Sequence, residues 1–121
     1  MTAAPDVVYA GMCSDGARWR LELTNVVAPD QNRIKVRFEV YQSPVGHSWR
    51  ITLSTTHESN FFPPPRLVFR GIRVANGSGH FVVQDRVPQA RDWARLNLFW
   101  ATAVDTQTGQ LCSAAEVAIK G

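Results

Sequence analysis

Few side chains in this sequence are equipped for chemistry, and their spacing narrows the choice further. Two cysteines, Cys13 and Cys112, stand near opposite ends of the chain. Neither belongs to a Cys-x-x-Cys pair or lies in a recognisable cysteine–histidine context, which argues against thiol redox, four-cysteine zinc and cysteine-nucleophile chemistry. The two readings left are a structural disulfide and a pair of buried thiols. Hydrophilic residues flank both cysteines (Ser14-Asp15-Gly16 and Ser113), where a buried thiol would sit in an apolar run, and this favours the bond. A bond in turn requires an oxidising compartment.

Three histidines, His47, His57 and His80, fall at loops or strand edges, where a solvated imidazole is the ordinary state. No metal site is expected from them. The ten acids are scattered through turns and outward strand positions, and no pair stands out as the two facing carboxylates of a glycosidase. No Gly-x-Ser-x-Gly elbow is present. Asn76-Gly77-Ser78-Gly79 has the composition of a turn and opens no helix, so it is not a phosphate loop. No catalytic residue, metal or cofactor is therefore assigned.

Aromatic residues are the remaining lever. Trp19 and Trp49 fall on inward positions of alternating segments, so both are expected in the core. Phe61 and Phe62, ahead of Pro63-Pro64-Pro65, and Trp93, within Arg91-Asp92-Trp93-Ala94-Arg95, lie in irregular polar stretches. They either cap the ends of a small core or face a ligand. In the second case Phe61, Phe62, Arg66, Arg91, Trp93 and Arg95 form the candidate binding surface.

These residues must be positioned by a small scaffold. With 121 residues, 45% hydrophobic and 19% charged, the chain has room for one domain and enough apolar side chains for a core. No apolar run reaches the roughly 18 residues of a membrane-spanning helix. The net charge is +3, and of 13 basic residues only Lys35 and Lys120 are lysine. The basic residues are interleaved with acids (Glu22 after Arg18 and Arg20, Glu39 after Lys35 and Arg37), which is not the clustered charge of a nucleic-acid binder.

The scaffold is written in period two. Trp19, Leu21 and Leu23 alternate with polar residues, as do Ile34, Val36, Phe38 and Val40, and again Trp49, Ile51 and Leu53. Strands that bury one face and wet the other are antiparallel. If these three share a sheet, Arg18, Arg20, Glu22, Lys35, Arg37, Glu39 and Arg50 form one modestly basic outer face. Further strands are expected over 67–74 with a bulge or bend at Gly71, over 80–87 up to Pro88, over 96–104 in a central position, and over 111–119. A short strand is expected at 7–12, a hairpin turn at 105–110, and a helical turn only within 88–96. The sum is an all-β, antiparallel β-sandwich of immunoglobulin-like architecture with seven to eight strands. Residues 1–12 are expected to be a flexible lead with a short edge strand, and residues 13–121 the single domain.

The succession Cys13-Ser-Asp-Gly, Trp19-Arg-Leu-Glu-Leu, Ile34-Lys-Val-Arg-Phe-Glu-Val, Gly46-His-Ser-Trp49, Gly79-His-Phe-Val-Val and Thr108-Gly109-Gln-Leu-Cys112 resembles a group of small, uncharacterised secreted actinobacterial proteins. The resemblance covers about residues 13–119. It implies a fold and an extracellular or cell-envelope location, and no activity. On that reading a leader peptide has been removed ahead of the chain. The expected role is a non-enzymatic secreted binding or interaction module for an extracellular protein or glycan. The alternatives are a carbohydrate-binding module and a small extracellular hydrolase. Immunoglobulin domains proper differ, because their disulfide joins two mid-domain strands.

Overall fold

The computed structural model describes residues 5–27, 29–30, 32–57, 65–89 and 97–119. Eight strands account for most of them: β1 (Val7–Met12), β2 (Arg18–Val26), β3 (Arg33–Tyr41), β4 (Ser48–His57), β5 (Arg66–Val74), β6 (Phe81–Pro88), β7 (Asn97–Asp105) and β8 (Leu111–Ile119). They form two four-stranded sheets, ordered β1-β2-β3-β6 and β5-β4-β7-β8, here the first and second sheets. Every pairing is antiparallel, as the one-sided alternation requires. The all-β sandwich expected from the sequence is thus observed.

The strand order is distinctive. β2 pairs with β3 in one sheet, whereas immunoglobulin constant domains place their second and third strands in opposite sheets. The shared feature is two packed antiparallel sheets; the connectivity is this chain's own. β3 pairs with β6 in the first sheet while the intervening β4 and β5 pair in the second. The chain therefore crosses between sheets after β3, β5 and β6.

The inward positions close the core. Leu21, Leu23, Ile34, Val36, Phe38 and Val40 from the first sheet meet Trp49, Ile51, Leu53, Phe99, Ala101 and Ala103 from the second, all fully buried. Each large side chain so buried contributes roughly 1.5–3 kcal/mol. Alanines at 101 and 103 make room on β7 for larger neighbours. The Trp49 ring lies 5.8 Å from that of Phe81, tilted by 44°, and ties β4 to β6 across the sheets. Trp49 Nε1–H donates to Ser43 Oγ at 2.9 Å, so the buried indole N–H is satisfied. Trp19 is also buried, as the alternation predicts.

Four expectations change. The first is the single basic outer face, which required β4 to share a sheet with β2 and β3. β4 lies in the second sheet, so Arg50 leaves the predicted basic face and points outward on the opposite side. A strand's own pattern specifies which of its faces is buried and says nothing of which sheet it joins. Second, the irregularity in β5 is not at Gly71. Leu53 pairs with Phe69 and Ser54 with Leu67, which leaves Val68 as the extra, bulged residue. Gly71 instead leaves room beside Phe69: a Cβ there would lie 2.8 Å from the far end of that ring, which would have to shift.

Third, the short strand expected at 7–12 is present as β1, but it pairs with β2 along its whole length and Asp6 is tied in ahead of it, so this stretch is more than a flexible lead. Asp6 N–H donates to Leu23 O, and its carboxylate accepts from Asn25 N–H at 2.6 Å. The sandwich therefore begins before residue 13. Fourth, the two histidines whose side chains are described are paired, as detailed below.

β7 is central in its sheet, between β4 and β8, as expected. The strand predicted to end at Pro88 includes that proline, on edge strand β6, where its missing N–H costs no ladder bond. The helical turn expected within 88–96 falls almost wholly outside the described residues.

Candidate functional site

Successive antiparallel strands send their connections to two poles. The β1–β2, β3–β4, β5–β6 and β7–β8 connections gather at one, and those spanning 27–32, 58–65 and 89–96 leave from the other. Phe61, Phe62, Arg91, Trp93 and Arg95 lie outside the described residues. Arg66, the remaining member of the predicted loop set, is exposed at the start of β5, opposite Thr55. His57 pairs with Asn97, so the strands flanking both loop segments end at the same pole.

The first pole holds most of the described chemistry-bearing groups. Cys13 and Cys112 are bonded, with Cα atoms 4.3 Å apart, joining the β1–β2 turn of the first sheet to edge strand β8 of the second. The Gln110 side-chain oxygen accepts from the N–H groups of Asp15 and Ala17, at 3.1 and 2.9 Å. Ser14 N–H donates to Leu111 O, and Leu111 N–H to Ser14 Oγ, both at 2.9 Å. The turn is thus sewn to β8 by four hydrogen bonds as well as the disulfide.

Beside it, Asp105 is fully buried at the end of β7. One carboxylate oxygen lies 2.8 Å from His47 Nδ1, and the other accepts from Gln107 N–H at 2.9 Å and, more loosely, Thr108 N–H at 3.4 Å. Burial pushes the Asp105 carboxyl up. The bond to His47 and those from Gln107 and Thr108 outweigh it and hold the group below the usual carboxylate range. An aspartate that closes a turn is read from Asp105-Thr-Gln-Thr-Gly109, with Gly109 at φ 77°. Its partner, 58 residues away, is not.

His80 is held similarly, its Nε2 lying 2.8 Å from Glu39 Oε2. Both imidazoles are part-buried, which corrects the expectation of solvated rings. His47 and Asp105 form a hydrogen-bonded pair. The serine of the same loop, Ser43, is committed to the Trp49 indole and to Pro44 O. Among the described residues, no three His, Cys, Asp or Glu side chains gather to hold a metal ion.

The two outer faces differ: on the first, exposed Val8 and Met12 on edge strand β1 stand beside charged rows on β2 and β3. On the first sheet, Glu22 lies 2.8 Å from Arg20 and 3.8 Å from Arg37, and Arg37 lies 3.3 Å from Glu39. The Arg20 Nε–H is not aimed at the nearby carboxylate oxygen, so that contact is charge proximity and not a directed hydrogen bond. Such a lattice of mixed charge is a solvated surface.

On the second sheet the outward row Ile72–Arg50–Val104–Leu111 runs across all four strands, followed by Arg70–Thr52–Thr102–Ser113 and then Leu67–Ser54–Trp100. Ile72 is 56% exposed, Leu67 49%, Leu111 44% and Val104 36%, with Trp100 half-buried among them. No described carboxylate faces outward here, and Arg50 and Arg70 have no ion-pair or hydrogen-bond partner among the described residues. β8 carries a bulge opposite Trp100, since Phe99 pairs with Val117 but Ala101 with Ala114. Compared with known protein families, with curated proteins and with solved structures, the chain finds no match.

Proposed function

We propose that the protein is a non-enzymatic, extracellular binding module, and that the outer face of the second sheet is its principal contact surface. One observation carries this reading. Five outward aliphatic side chains, Leu67, Ile72, Val74, Val104 and Leu111, are at least 36% exposed on one sheet face, together with Trp100. Exposed apolar side chains grouped in this way are characteristic of contact surfaces. The location is supported by the disulfide, which persists in oxidising compartments, and by the resemblance to small secreted actinobacterial proteins. Phe61, Phe62, Arg66, Arg91, Trp93 and Arg95 are proposed as a second contact region.

Arrays of extracellular proteins and of glycans, probed with the oxidised protein and with an Ile72→Glu/Val104→Glu variant, test the reading. Binding that the variant loses supports it. Ligands bound equally by both proteins place the contact elsewhere and overturn it, and cleavage of an arrayed glycan would make the protein a hydrolase.

A further inference from the structure

Resting on that reading, we infer that the occupant of this face is a protein surface presenting a carboxylate among apolar side chains, and that Arg50 and Arg70 receive the carboxylate. Arg50 stands directly opposite Ile72 on β5, and Arg70 opposite Thr52 on β4. The two arginines are therefore diagonal neighbours on one face, with Cβ atoms about 7–8 Å apart. Like charges so placed repel, and nothing described on this face relieves them. On the first sheet the diagonal pair Arg20 and Arg37 has Glu22 between them. On the second sheet the corresponding positions hold Thr52 and Ile72, neither of which carries charge, and a carboxylate arriving from outside would balance the pair, since a guanidinium presents paired N–H donors to its two oxygens.

The surroundings select the class of partner. Arg50 is flanked across the strands by Ile72 on one side and Val104 on the other. A flat aliphatic patch with arginine and tryptophan inside it has the composition of a protein–protein interface core, in which Trp and Arg carry most of the binding energy. A sugar chain finds one half-buried ring here. A second copy of this chain is disfavoured, because a twofold contact through the same face sets Arg50 and Arg70 against their own copies. The first sheet offers a comparison: Lys35 and Arg86 are also directly opposed, but their neighbours along that face are Arg37, Gln84 and Thr24. They form a basic patch without the apolar frame.

The test is selection of random peptides displayed on phage against the oxidised protein, followed by titration of the selected peptides by fluorescence polarisation. Three variants are compared with the wild type: Arg50→Gln/Arg70→Gln, Lys35→Gln/Arg86→Gln, and Ile72→Ser/Val104→Ser. All change exposed side chains except Lys35, which is half-buried, and thermal melts check that each variant folds. The expected result is peptides rich in Asp or Glu beside Leu, Phe or Trp. Arg50→Gln/Arg70→Gln should weaken them roughly 10- to 100-fold, and Lys35→Gln/Arg86→Gln, with the same loss of charge, less than about 2-fold.

Peptides that lack acids, or that lose equally from both charge variants, overturn the carboxylate site. If those peptides still depend on Ile72 and Val104, the contact face itself stands. Peptides indifferent to all three variants remove the face, and with it the proposed function. Phosphatidylglycerol vesicles and polygalacturonate are run alongside. Stronger retention of either, dependent on Arg50 and Arg70, replaces the protein partner by a lipid surface or an acidic glycan and overturns the inference.

Discussion

Reducing the Cys13–Cys112 bond should destabilise the protein strongly while leaving its native structure almost unchanged. The bond closes a loop spanning 99 residues of separation, nearly the whole domain. In the chain-entropy description the cross-link removes roughly 16 cal/mol/K from the unfolded ensemble, or about 4.7 kcal/mol at 25 °C. Over 121 residues, an unfolding entropy of about 2.1 cal/mol/K per residue amounts to roughly 0.25 kcal/mol/K, so the melting temperature should fall by about 18 °C. The native turn, by contrast, retains the Gln110 contacts to Asp15 and Ala17 and the reciprocal Ser14–Leu111 bonds. Breaking the sulfur bridge therefore releases the unfolded chain more than it disturbs the folded one.

The assay is guanidinium unfolding followed by tryptophan fluorescence, with and without a reductant, since Trp19 and Trp49 are both buried and report loss of the core. Near-ultraviolet circular dichroism of the reduced protein under native conditions should match that of the oxidised form. A Cys13→Ala/Cys112→Ala variant should be somewhat less stable than the reduced protein, because Cys112 is fully buried and its sulfur would leave a small void. A change in unfolding free energy below about 1 kcal/mol on reduction would refute the reasoning, as would a collapse of the native spectrum. The second outcome would mean that the bond holds the two sheets together locally.

Three further perturbations probe the same pole. Gly79→Ala should cost about 2–4 kcal/mol, because φ is +73° and an added Cβ would fall 2.3 Å from Ser43 O; a denaturation midpoint equal to wild type would contradict it. Ser43→Ala should cost about 1–3 kcal/mol by stranding the buried Trp49 N–H, and a red shift of native fluorescence would mark water entering beside the indole. Asp105 has a folded pKa below its unfolded value, so its contribution is fully present above the unfolded pKa of about 4 and is lost as pH falls through the folded one. Asp105→Asn should therefore lower stability at neutral pH by about 1–3 kcal/mol and flatten the decline below about pH 4, and an unchanged acid limb would refute the assignment.

The fold was legible where its cause is local. Alternation in 19–23, 34–40 and 49–53 marks every inward residue correctly, because a strand's period is a property of its own backbone. The Asp105 turn is legible for the same reason, since the aspartate and Gly109 lie within one short segment. What the pattern does not carry is pairing between distant segments. Placing β4 in the second sheet, locating the bulge at Val68 and joining His47 to Asp105 all depend on contacts that no single stretch records. Cys13 and Cys112 are the exception, because a cysteine pair names a long-range contact by residue type alone.

Positions where the alternation lapses are the ones that packing of the core leaves unexplained. Residues 96–104 read as apolar on both faces, which predicts a central strand. β7 is central, yet among the described residues only its inner face packs against the other sheet; half-buried Leu98 and Trp100 and exposed Val104 lie on the outer side. Sheet position therefore does not account for their apolarity. The same holds for Ile72 and Val74 on β5 and for Leu111 on β8, outward residues where the neighbouring rows supply Thr, Ser or Arg. An outward aliphatic side chain adds nothing to this core and lowers solubility. Several gathered on one face, around two arginines without described carboxylate partners, form a surface that a partner's apolar and acidic groups would complete.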